Sequence, residues 1–305
     1  MKPTRLALVA AALASALALT ACGGGDDPLA SGDDKAAPTD TIVVGSANFP
    51  ENALLARIYA GALRAQGVKV EEKLNIGARE VYLPGLEDGS IDLIPEYTGV
   101  LLQYFDKEAT AVNSPDVYSA LVKVVPPKLS VLDPATAEDK DSVVVTAETA
   151  AKYKLTSIAD LKPHAKDLVL GGPPEWKTRA TGVPGLKKKY GLEFKKFTSL
   201  DPGGPLTVEA LKSGRVQAAN LFSTDPNVAA NGWKVLSDPE SLFTAQNIVP
   251  LINKSKASES VKTTLNRVTV MLTTASLSDL VKQVTLDKKD PEAVANDWLK
   301  KNNLG

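Results

Sequence analysis

Two α/β lobes with a ligand cleft between them are expected of this chain, on three observations. Its 305 residues exceed one ordinary domain of about 100 to 200 residues. Short apolar runs alternate with amphipathic helical patterns, the arrangement of a mostly parallel sheet covered by helices on both faces. That alternation stops, restarts midway and gives way to a helical finish.

Ile42-Val43-Val44 reads as a buried strand. Leu54, Leu55, Ile58, Ala62 and Leu63 then recur at helical spacing until Gly67 ends the helix. Val68 to Leu74 alternates as a second strand, Arg79 to Glu87 reads as a helix closed by Asp88-Gly89, and Ile91 to Ile94 is a third strand. The second half repeats the layout. Strands are expected at Ser142 to Thr146, Leu168 to Leu170, Phe194 to Phe197 and Val216 to Phe222, with helices from Ala147, near Gly185 to Tyr190, and over Val208 to Lys212. After a strand at Asn247 to Ile252 the chain turns helical, and Asp290-Pro291 suits the start of the last helix.

The first forty residues read differently. Lys2 and Arg5 precede an apolar run, Leu6 to Leu19, which ends in Leu19-Thr20-Ala21-Cys22 and a Gly triplet. A basic start, a short apolar core and small residues at the cut make a secretory signal peptide, and the run is too short for comfort as a permanent span. The tetrapeptide resembles a bacterial lipobox, which implies cleavage before Cys22 and lipidation of that Cys. Residues 22–40 carry five Asp, one Lys and little apolar bulk, the composition of a flexible acidic tether. The expected organisation is a leader over 1–21, the tether over 22–40 and a folded body from residue 41 onward.

Composition excludes several functions. With 35 basic and 36 acidic residues there is no excess positive charge to neutralise phosphates, so no nucleic-acid partner is expected. One Cys and one His, Cys22 and His164, rule out a Cys/His metal cluster and an internal disulfide. Neither a Ser/His/Asp set nor a P-loop occurs, so no enzyme activity, metal or cofactor is expected.

Ligands of open α/β sheets sit beyond the carboxyl ends of strands, here the loops 45–51, 94–99, 171–179 and 222–226. At those loops the chain becomes recognisable. Gly45-Ser46-Ala47-Asn48-Phe49-Pro50-Glu51-Asn52, Gly77-Ala78-Arg79-Glu80-Val81, Ile94-Pro95-Glu96-Tyr97-Thr98-Gly99, Glu175-Trp176-Lys177-Thr178-Arg179 and Ser223-Thr224-Asp225 resemble segments of the substrate-binding lipoproteins of osmoprotectant ABC transporters. The resemblance implies a type II periplasmic-binding-protein fold with a hinge between its lobes, the first over 41–145 and 247–305 and the second over 146–246, and capture of glycine betaine, choline or a related quaternary ammonium solute. It also implies separate permease and ATPase subunits as partners, and a place on the extracytoplasmic face of the cell membrane, anchored through Cys22.

A trimethylammonium group cannot donate an N–H hydrogen bond, so aromatic faces must hold it, while a betaine carboxylate calls for Arg, hydroxyls or amides. By resemblance Tyr97 occupies a cage position, Phe222 a second aromatic position and Arg179 the carboxylate site, with Asn48, Thr98 and Thr224 nearby. Each has a plainer reading as packing, surface ion pair, turn or cap. Trp176 reads as packing, His164 as solvated and Lys187 to Lys189 as an exposed helix face. The chain departs from the family at Ala47 and Val100, where relatives often carry Lys and Thr, and at Asp139 to Ser142 and Gln246, where cage aromatics often lie. Asp141 and Gln246 are therefore expected to make the pocket more polar than a pure betaine cage. A solute receptor fits these features best; a receptor for another polar or aromatic solute, a same-fold transferase and a sensing domain are the alternatives.

Overall fold

The computed structural model describes residues 40–305. The leader, Cys22 and the tether as far as residue 39 lie outside the described residues. Ten strands follow in chain order: β1 (Thr41–Ala47), β2 (Lys69–Gly77), β3 (Leu93–Tyr97), β4 (Leu129–Val131), β5 (Asp141–Val145), β6 (Val169–Gly172), β7 (Lys196–Ser199), β8 (Ala218–Phe222), β9 (Lys234–Val235) and β10 (Ile248–Asn253). They form two five-stranded sheets, ordered β2-β1-β3-β10-β4 and β7-β6-β8-β5-β9.

The two sheets share one plan. In each, a central strand lies between two parallel neighbours: β1 between β2 and β3, and β6 between β7 and β8. A strand arriving from the other lobe then pairs antiparallel. β10 aligns Ile248 with Tyr97 of β3, and β5 aligns Asp141 with Phe222 of β8. Both sheets are thus mixed where the sequence suggests a mostly parallel one, because the strand returning across the hinge runs against its neighbours. The expected lobe boundary also moves. Asp141–Val145 pairs with β8 and β9 and so belongs to the second sheet, not the first.

Local chemistry accounts for the central elements. Every residue of β1 is buried, as its apolar sequence requires. The helix Pro50–Ala65 begins with Pro and is buried on several faces, with Leu54, Leu55, Ile58, Tyr59 and Leu63 fully inaccessible. It lies between the first sheet and the C-terminal helices Glu259–Met271, Thr274–Thr285 and Pro291–Lys301. The last of these starts at the expected place, where the Asp290 side chain accepts from the Ala293 N–H. His164 is half-buried and tilted against the Tyr153 ring at 4.5 Å. Lys187 to Lys189 are exposed as expected.

Two segments, 132–140 and 236–247, connect the lobes and pair with each other. Glu138 and Asn247 form an antiparallel bridge, Asp139 N–H donates to Gln246 O at 3.1 Å, and Ile248 N–H donates to Ala137 O at 3.1 Å. The turn after β3 is pressed against this hinge. A Cβ on Gly99 would come within 2.4 Å of Thr244 Oγ1 and 2.5 Å of the Ala245 carbonyl. Gly99→Ala is expected to lower stability by about 1–3 kcal/mol through overpacking, measured by urea unfolding.

Candidate functional site

The carboxyl ends of β1, β3, β6 and β8 meet between the lobes around a narrow cleft with a cavity volume of about 60 Å³. Asn52, fully buried, fixes the first-lobe edge: its Oδ1 accepts from Ala47 N–H at 2.7 Å, and its Nδ2 donates to Pro95 O at 2.9 Å. That bracing ties the end of β1 to β3 and presents Phe49 beside Tyr97. The Phe49 ring stacks on Phe222 of the other lobe at 5.1 Å and lies 6.0 Å from the Tyr97 ring. Three aromatic rings therefore meet where the lobes touch. Trp176 also lines the cleft while stacking on Phe243 behind it, so packing and lining are not alternatives for this side chain.

Of the residues expected in the site, Asn48, Tyr97, Asp141, Arg179, Phe222 and Gln246 line the cleft. Thr98 and Thr224 do not. Thr98 Oγ1 accepts from Asn247 N–H at 3.0 Å and donates to Ala245 O at 3.3 Å, holding the hinge. Thr224 joins the lobes instead: its hydroxyl donates to Glu51 Oε2 at 2.6 Å and its N–H donates to Asp139 Oδ1 at 3.1 Å. Sequence reasoning missed Phe49, Glu51, Asp139, Glu175 and Asn220. Phe49 carried a usable signal, since it follows a buried strand just as Phe222 ends one. Asn220 sits inside a strand and carried none.

Both arginines that line the cleft are committed elsewhere. Arg79 forks onto Glu96, Nε donating at 2.8 Å and Nη2 at 2.7 Å, and Tyr82 donates to the same carboxylate at 2.5 Å. Arg179 reaches across the lobes to Glu80, Nε at 3.0 Å and Nη2 at 2.8 Å. Partial burial works against the Glu80 charge, but the Arg179 hydrogen bonds and charge outweigh it and hold that carboxyl below its usual range. The cleft holds three acids, Asp139, Asp141 and Glu175, against these two arginines, and Glu175 is itself paired with Arg179, whose Nη1 lies 3.9 Å away. Burial raises the Asp141 pKa, against the Asn220 amide that donates to it at 2.8 Å.

Behind the rings lies a buried carboxyl pair. Glu51 is 4% exposed and accepts from the Tyr97 and Thr224 hydroxyls; Asp139 is 2% exposed and accepts from the Ser223 hydroxyl and the Thr224 N–H. Burial raises both pKa values, and for Asp139 the Glu51 charge raises it further. Two such groups hold a shared proton more readily than two charges.

Residues 40–301 match the family described as the substrate binding domain of the ABC-type glycine betaine transport system. The chain belongs to that family. It is 30% identical over 273 residues to the glycine betaine-binding protein YehZ of Escherichia coli strain K12, an alignment covering 85% of this chain and 90% of that one. The carnitine transport binding protein OpuCC of Listeria monocytogenes is 27% identical, with 87% of each chain covered. Among solved structures, a glycine betaine/carnitine/choline ABC transporter chain superposes with a TM-score of 0.68 at 25% identity, covering 86% of this chain and 99% of that one. The family's two-lobed periplasmic-binding-protein fold is the one described above.

The carboxyl pair sets a pH dependence. A carboxyl whose folded pKa is raised binds its proton more tightly when folded, so its contribution is fully present below the ordinary value of 3.8 for Asp and is lost as pH rises through the folded value. Thermal unfolding is expected to show stability falling as pH climbs above about 4, and Asp139→Asn to flatten that fall. An unchanged slope in the variant would count against the pair.

Proposed function

We propose that this chain is the extracytoplasmic solute receptor of an ABC importer, closing its two lobes on a quaternary ammonium compound and presenting it to separate permease and ATPase subunits. One observation carries the reading: the Phe49, Tyr97 and Phe222 rings converge between the lobes in a cleft lined by three acids, Asp139, Asp141 and Glu175, and two arginines, Arg79 and Arg179. An aromatic cage attracts a cation that cannot hydrogen-bond, and nearby carboxylates lower the cost of bringing its charge out of water. Tyr97, Phe222, Asn48, Asp141 and Gln246 are the ligand-facing residues in this reading, with Phe49, Trp176 and Asn220 added. Thr98 and Thr224 support the hinge and the clasp, and Arg179 guards the rim.

Binding favours the closed lobes because only closure brings both sets of rings together, so the ligand's differential affinity drives the motion. The receptor is held at the membrane by lipid on Cys22 with residues 22–40 as the tether. No helix among the described residues is long and apolar enough to cross a membrane, which is consistent with attachment outside the folded body.

Calorimetric titration with choline, glycine betaine and carnitine tests the reading. At least one is expected to bind, and Phe49→Ala or Tyr97→Ala to weaken it by about 1–2 kcal/mol, roughly 5- to 30-fold. Equal affinity in both variants would contradict an aromatic cage. Cys22→Ser is expected to move the protein from the membrane fraction to the soluble fraction.

A further inference from the structure

Two side-chain atoms at the cleft are buried without a hydrogen-bond partner among the described residues, Asn220 Oδ1 and Gln246 Nε2. Their side chains are 0% and 2% exposed, and both line the cleft, one from β8 of the second lobe and the other from the hinge. The Asn220 amide has a fixed sense. Its Nδ2 donates to Asp141 Oδ1 at 2.8 Å and to Leu221 O at 3.4 Å, which leaves Oδ1 as an acceptor. Gln246 is held at its backbone, where its carbonyl accepts from Asp139 N–H, and its amide group offers a donor. The cleft therefore asks its ligand for one hydrogen-bond donor and one acceptor, beside a carboxylate.

A carboxylate on the ligand answers this poorly. It brings acceptors only, while the Nε–Nη2 forks of Arg79 and Arg179 are taken by Glu96 and Glu80, and the remaining Arg179 Nη1 faces Glu175 at 3.9 Å. It also enters a cleft that already holds Asp139, Asp141 and Glu175. A hydroxyl answers both demands, because it donates once and accepts as well.

We propose that Asp141, Asn220 and Gln246 form a polar subsite selecting quaternary ammonium compounds whose second group is neutral and donates a hydrogen bond, a hydroxyl or an N–H, over those that carry a carboxylate. Arg179 is then a latch on Glu80 rather than a clamp on the ligand. The proposal rests on the cation-receptor reading above and narrows it. Leaving a buried acceptor unpaired is the more discriminating penalty, since sites built to hydrogen-bond a hydroxyl reject analogues lacking it far more strongly than apolar pockets reject a change of size.

The test is calorimetric titration of the full chain, in detergent, with tetramethylammonium, choline and glycine betaine. Choline is expected to bind at least about tenfold more tightly than glycine betaine. Asn220→Leu and Gln246→Met, each checked for a cooperative thermal transition, are expected to shrink that ratio to within about threefold. Two variants are used so that failure of one to fold leaves the other to decide. Glycine betaine binding as tightly as choline, or a ratio unchanged in the folded variants, would overturn the proposal while leaving the cation-receptor reading intact. Failure of all three compounds to bind, tetramethylammonium included, would overturn that reading and the proposal with it.

Discussion

A carboxylate kept from water must be given donors, and those of Glu51 come from both lobes. Tyr97 supplies one from the end of β3 and Thr224 the other from the loop after β8, at 2.9 and 2.6 Å. The clasp fixes more than itself. Phe49 stands two residues before Glu51 and Phe222 two residues before Thr224, so holding these two side chains brings the neighbouring rings face to face. Tyr97 serves both, with its hydroxyl on Glu51 and its ring beside Phe49. Lobe closure and assembly of the aromatic seat are in this way one event.

The same economy governs charge. Arg79 and Arg179 lie near the cleft, yet each is forked onto a partner carboxylate, Glu96 and Glu80. What remains for a ligand is a set of rings, acids and amides, a surrounding suited to a positive charge. Ion pairs at a partly exposed rim add little to stability by themselves. Glu80 and Arg179 matter more because they belong to different lobes, so their contact exists only when the cleft is shut.

Much of this was written in the sequence, and the exceptions have physical causes. The buried runs of β1 and β3 and the amphipathic helix after Pro50 are strong periodic signals, and they place the loops correctly. β4 and β9 are three and two residues long, too short to show a period. The antiparallel course of β5 and β10 depends on where the chain returns across the hinge, a long-range fact that no local pattern encodes. Within the site, Tyr97, Phe222, Asp141 and Gln246 are named by motif or by departure from it. Glu51 and Asp139 become a pair only because two distant segments are buried together, and Asn220 reads in sequence as one more residue of a buried strand. Thr98 and Thr224 stand beside cleft-lining neighbours, and only their hydrogen bonds show that they brace the hinge and the clasp instead.

A crystal structure of the protein with a bound quaternary ammonium compound tests the clasp and seat together. The cationic nitrogen should lie within about 6 Å of the Phe49, Tyr97 and Phe222 ring centroids, with the Thr224 hydroxyl still on Glu51. A cation bound elsewhere in the cleft, or rings parted and the Thr224–Glu51 bond broken around a bound ligand, would contradict the account.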